Sequence, residues 1–132
     1  LDFAHAPSKV RATVNAVREK HPDAYIIACL ELHTFSSLNP AFLPQYKGAL
    51  AEADVKILYY SPQTLSIKKV PNLSTGQLAS YFDEPMLMIA TSAAELENLV
   101  LDARKNTETV LLWMSSGRFD GLDIHAVSSK FI

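Results

Sequence analysis

Four short apolar runs, each followed or preceded by an amphipathic stretch, constrain this chain more than any other feature. They are Ala24 to Leu30, Val55 to Tyr60, Met86 to Ala90, and Thr109 to Met114. Each is of strand length, and Ala24 to Leu30 is continuous rather than alternating, the pattern of a strand covered on both faces. Between them lie stretches with helical periodicity. From Ser8 to Lys20, Val10, Val14 and Val17, with Ala12 and Ala16 nearby, fit one face, while Arg11, Arg18, Glu19 and Lys20 take the wet face. A second helix is predicted from about Ala41 to Ala53 on Phe42, Tyr46, Ala49, Leu50 and Ala53, with Gly48 weakening it. Ser74-Thr75-Gly76 is predicted to start a short one through Phe82; another is predicted from Ala93 to Lys105 on Leu96, Leu99, Val100 and Ala103, and a last from about Gly121 to Ser129. Thr91 or Ser92 caps the fourth, with Glu95 at the capping-box position for a Ser92 cap. Strands alternating with helices imply βαβ units, hence an α/β domain with a mostly parallel sheet flanked by helices on both faces. Right-handed crossovers then line up every strand-to-helix loop along one rim.

A chain of 132 residues, 48% hydrophobic and 20% charged, is sufficient for one domain with a real core. Its net charge of −2 advertises no basic face for nucleic acid, and no run approaches the ~20 apolar residues of a membrane span. The single cysteine, Cys29, lies inside an apolar run; it reads as a small buried hydrophobe in a reducing, cytoplasmic setting. The chain opens at Leu1, at the end of an extended segment, so it is expected to be a fragment of a longer protein.

Three segments fall on the common rim. Asp2 and His5 precede a helix that starts at Pro7 or Ser8, Glu31 to Asn39 follows the first apolar run, and Ser115 to Asp123 follows the last. In an open α/β sheet that rim is where ligands bind, and helix N-termini there favour anions. The same residues also read as ordinary furniture. Asp2 can cap, Glu31 can cap beside an exposed His33, and Ser115-Ser116-Gly117 can be a polar turn. A His/Glu pair falls short of a metal-ligand set. There is no GxxxxGKS or GxxxxGKT phosphate loop, no GxGxxG, no GxSxG and no HExxH. The residues by themselves define a ligand-binding α/β domain that is incomplete as an enzyme.

The opening DFAHAPSKVRATVNAVREKHP resembles the segment that begins the C-terminal domain of Mur ligases. ELHTFSSL, ADVKILYYSP and MSSGRFDGL follow in family order with similar spacing, and they are similar to the branch that recycles murein peptide. The resemblance implies a Rossmann-like third domain of an ATP-dependent ligase whose N-terminal UDP-sugar domain and central ATP-binding domain lie outside this chain. It implies joining of the recycled tripeptide L-Ala-γ-D-Glu-meso-diaminopimelate to UDP-N-acetylmuramate through an acyl phosphate, with ATP and Mg2+ held mainly by the central domain. Residue by residue, Asp2 and His5 match the nucleotide side. His33, Thr34 and Ser36 match the loop lining the amino-acid or peptide side, with His33 where a related pattern has Arg. Ser115, Ser116, Gly117 and Phe119 match the loop that holds the incoming carboxylate end. No catalytic set is complete here, no metal ligand is expected, and neither nucleic acid nor membrane is implied as a partner. The alternatives are the C-terminal domain of the L-alanine-adding ligase and a free-standing α/β binding or signalling module.

Overall fold

The structure, a computed structural model, describes residues 7–32, 43–60, 75–105, 107–115 and 127–128. In chain order these form α1 (Pro7–Lys20), β1 (Tyr25–Glu31), a 3-10 turn (Leu43–Tyr46), β2 (Val55–Tyr59), α2 (Thr75–Phe82), β3 (Met88–Ala90), α3 (Ala93–Asp102) and β4 (Thr109–Met114). The four described strands make one sheet in the order β3-β2-β1-β4, and every pairing is parallel.

Strand alternation divides the apolar side chains between two cores. Ile26, Ala28 and Leu30 of β1 join Val10 and Val14 of α1, Leu50, Leu58, Phe82, Leu112 and Met114 on one face. Ile27 and Cys29 join Ile57, Tyr59, Leu96 and Val100 of α3, Trp113 and Val127 on the other. A β1 buried on both sides accounts for its unbroken apolar run. The mostly parallel α/β expectation therefore holds.

The region from 43 to 53 departs from the helix predicted there. Only a 3-10 turn and successive single turns form, with Lys47, Ala49, Ala51 and Ala53 each donating to the carbonyl three residues back. Gly48 takes φ +74°, a left-handed conformation that interrupts a right-handed helix. The apolar spacing still selects what is buried: Tyr46, Ala49, Leu50 and Ala53 all enter the core. Tyr46 stacks on Phe82 with ring centroids 5.0 Å apart, and burial pushes its hydroxyl up to about 12.

Turns leave carbonyls without helical partners, and α1 supplies the donors. Arg11 Nη2 donates to Lys47 O at 2.6 Å, and Arg18 donates twice to Glu52 O at 3.0 and 3.1 Å. Arg18 also reaches Ala24 O at 2.8 Å and Asp54 Oδ2 at 2.7 Å. The wet-face expectation for Arg18 is thus corrected. A planar fork of donors suits several acceptors at once, so this side chain ties α1 to the start of β1 and β2. Ala12 and Ala16 are exposed rather than part of the buried face. Met86, read as part of the third apolar run, is 82% exposed, and β3 begins two residues later. The capping box forms as expected at Ser92, whose Oγ accepts from Glu95 N at 3.1 Å, but Glu95 Oε1 returns to Thr91 N at 2.7 Å rather than to Ser92. The last predicted helix lies largely outside the described residues; 127–128 are helical.

Asp54 also accepts from Ile26 N at 2.8 Å. Burial raises its carboxyl, but that bond and the charges of Arg18 and Lys56 outweigh it and hold the pKa below the usual value. A depressed folded pKa contributes stability above the unfolded pKa of about 3.9 and loses it as pH falls through the folded value. Because the side chain is 38% exposed, screening keeps the effect modest, on the order of 1 kcal/mol. Asp54→Asn is expected to lower urea-unfolding stability by that amount at pH 7. The gap should close as the pH is taken below about 4, the unfolded carboxyl value.

Candidate functional site

The winding direction of the sheet decides where a site can form. From β1 the chain moves outward to β2 and then β3; it then crosses back by way of α3 and adds β4 on the opposite side of β1. The two directions of winding diverge between the carboxyl ends of β1 and β4. Neighbouring loops leave such a switch point toward opposite faces and open a crevice there.

Glu31 and Ser115 stand at that point. Glu31 is the last residue of β1 and Ser115 follows β4, one step beyond the Leu30–Met114 register pair. Both are buried, Glu31 at 3% exposure and Ser115 at 0%. The Ser115 hydroxyl donates to Glu31 Oε1. Across the sheet, Glu31 is in register with Tyr59, itself fully buried, which is in register with Ala90. A row of rim residues thus runs across the α3 side of the sheet. The pairing of β1 continues one residue further, with Leu32 N donating to Tyr59 O at 2.9 Å.

The expectation that Glu31 opens a polar loop as a cap is therefore corrected. Its carboxylate is enclosed, because β1 is flanked on both sides and its odd-numbered side chains point into the α3-side core. Periodicity carried the missed signal, since Glu31 lies two residues beyond Cys29, on the same face. Of the remaining expected site residues, Asp2, His5, His33, Thr34, Ser36, Ser116, Gly117 and Phe119 lie outside the described residues. Two rim segments have their first residues in the described region, Glu31 and Ser115, and these two residues meet.

Two further groups are described on this rim. Tyr60, at the end of β2, is buried; burial and then the Glu95 charge raise its hydroxyl pKa. Glu95 itself sits on the α3 N-terminus. No group of three or more His, Cys, Asp or Glu that could hold a metal exists among the described residues, so none of them fits Mg2+ as a set of ligands. No described helix is long and apolar enough to cross a membrane.

These features define a doubly wound α/β domain with its candidate site at the switch point between β1 and β4. No family model matches the chain. Among curated proteins it is 32% identical, over 98% of its own length and 28% of the relative's, to a UDP-N-acetylmuramate–L-alanine ligase of Chlorobium phaeovibrioides. A shorter stretch of 57 residues is 46% identical to the ligase of the same name from Lacticaseibacillus casei, covering 43% of this chain and 13% of that one. The chain thus spans less than a third of the length of these relatives. Among solved structures, a murein peptide ligase from Psychrobacter arcticus superposes with a TM-score of 0.69 at 18% identity, over 98% of this chain and 26% of that one. A domain ascribed to a UDP-N-acetylmuramate:L-alanyl-γ-D-glutamyl-meso-diaminopimelate ligase of Haemophilus ducreyi gives 0.61 at 22% identity, over 97% and 86%. The chain belongs to the Mur ligase family.

Cys29 lies 1% exposed beneath the Glu31 row, and burial raises its thiol pKa strongly. A thiol that stays protonated and enclosed is inert. Ellman's reagent is expected to leave native protein unmodified at pH 8 and to titrate one thiol per chain in denaturant; fast modification of the native form would contradict the enclosed position.

Proposed function

We propose that this chain is the C-terminal domain of a three-domain ligase that joins L-Ala-γ-D-Glu-meso-diaminopimelate to UDP-N-acetylmuramate at the expense of ATP, in the cytoplasm. Family membership supports the ligase reading, and the Glu31–Ser115 meeting at the switch point is the observation that carries the location of this domain's share of the site. The choice of tripeptide rests on ELHTFSSL and MSSGRFDGL. The names of the sequence relatives favour a second reading, in which L-alanine is the acceptor.

In this reading ATP phosphorylates the lactyl carboxylate of UDP-N-acetylmuramate, releasing ADP. The acceptor amine then attacks the acyl carbon, and phosphate leaves as the amide forms. Mg2+, held by the central domain, would neutralise phosphate charge. The work of this chain is binding and enclosure. Asp2 is assigned to the ribose hydroxyls, which a short carboxylate accepts well, and His5 to positioning beside the nucleotide. His33, Thr34 and Ser36 on one loop, and Ser116, Gly117 and Phe119 on the other, are assigned to the acceptor; Ser115, enclosed with its hydroxyl given to Glu31, stands at the base of the second loop. Closure of this domain over the central one would exclude water, to which an acyl phosphate is vulnerable.

The deciding experiment assays ADP release by the longer protein with UDP-N-acetylmuramate and either acceptor. Tripeptide is expected to exceed L-alanine in kcat/KM by at least about tenfold, an energetic difference of about 1.4 kcal/mol. The reverse order establishes the alanine reading, and turnover with neither rejects both. The 132-residue chain alone is expected neither to hydrolyse ATP nor to ligate. In the longer protein, Asp2→Ala should raise the KM for ATP about tenfold, the scale of one lost hydrogen bond, and Ser116→Ala the KM for the acceptor.

A further inference from the structure

We propose that Glu31 is a positioning residue. Its carboxylate, by accepting the Ser115 hydroxyl, locks together the places where the chain leaves β1 and β4, and so sets the spacing of the two acceptor-side loops. This rests on the acceptor assignment given above and extends it to a residue that contacts no substrate.

The energetics motivate the role. Enclosing a carboxylate at a strand end is costly unless it is hydrogen-bonded, and an apolar residue of similar size would pack beneath α3 at no such cost. A hydrogen bond adds what packing does not, which is direction. Adjacent strands lie about 4.8 Å apart, so register neighbours on the same face are within reach of one glutamate and one serine side chain. Leu32 and Ser115 directly follow β1 and β4, and Leu32 N is already fixed to Tyr59 O at 2.9 Å. The Glu31–Ser115 bond therefore joins the β4 exit to a β1 exit that is itself tied to β2. Three strands then share one rigid lip from which both loops depart. The nucleotide-side residues Asp2 and His5 precede α1 and leave from neither strand, so the tie acts on one substrate and not the other.

The test compares Glu31→Met, Ser115→Ala, their double variant and Glu31→Gln, whose amide oxygen still accepts a hydroxyl. In the longer protein, E31M and S115A are expected to raise the acceptor KM about tenfold while the KM for ATP stays within twofold. The double variant should be no worse than the worse single one, and E31Q should stay within threefold of the parent. A purely structural role would move both KM values with stability, and that result overturns the proposal. So does an E31Q variant as impaired as E31M, which would mean that the charge, and not the bond from Ser115, is what the site requires. In the 132-residue chain the same tie is read by amide hydrogen exchange. Exchange at Leu32 and at the last amides of β4 should quicken together by about tenfold in E31M and in S115A and stay slow in E31Q. Quickening confined to the mutated strand's own exit overturns it. If the longer protein ligates neither acceptor, the ligase reading fails, and the exchange measurement still decides the tie.

Discussion

The reversal of winding at β1 is the constraint from which the rest of the architecture follows. A parallel sheet cannot be closed by hairpins; each strand must return through a crossover, and right-handed crossovers in opposite directions occupy opposite faces. Strands added outward from β1 carry their connections on the α1 side, and the jump from β3 to β4 carries α3 on the other. β1 is consequently paired on both edges and covered on both faces. That single circumstance accounts for its continuous apolar run, for the inert Cys29, and for the burial of a glutamate at its end.

The two rims of the sheet do different work. At the amino-terminal rim the polar contacts hold elements together: Arg18 gathers backbone carbonyls and Asp54, Lys56 pairs with Glu84 at 2.8 Å, and Lys105 lies 4.8 Å from the Tyr25 ring centroid. Each links a helix end or turn to the start of a strand. At the carboxyl rim Glu31 meets Ser115 across the switch point, and Tyr60, at the end of β2, lies within the field of Glu95.

Much of this arrangement was legible in the residues, because burial and periodicity are local signals. The four strands, α1, α2 and the Ser92 cap follow from apolar runs and from cap chemistry. The segment from 43 to 53 was half legible: apolar spacing identified the side chains that enter the core, yet one left-handed Gly48 turned a helix into a series of turns. Arg18 was misjudged because its acceptors, Glu52 O and Asp54, lie 34 and 36 positions away and become neighbours only through the crossover. Glu31 was misjudged for a related reason. A polar residue after an apolar run ordinarily marks the start of a loop, whereas here Glu31 stays in β1 opposite Tyr59 and its carboxylate accepts from Ser115, 84 positions along. The rim as a place was readable in advance, whereas the pair that defines it was not.

A domain that supplies one wall of a composite pocket faces a demand that a self-contained enzyme does not. Its loops must hold their spacing before the opposite wall arrives, because every degree of freedom frozen on closure is subtracted from binding. Side chains on long loops cannot meet that demand alone; it must be met where the loops leave the sheet. An enclosed hydrogen bond between adjacent strand ends meets it at the lowest entropic cost, since both groups are already immobilised by the sheet. On this view the burial of Glu31 is the point at which the rigidity of the parallel core is handed on to the loops that would touch substrate.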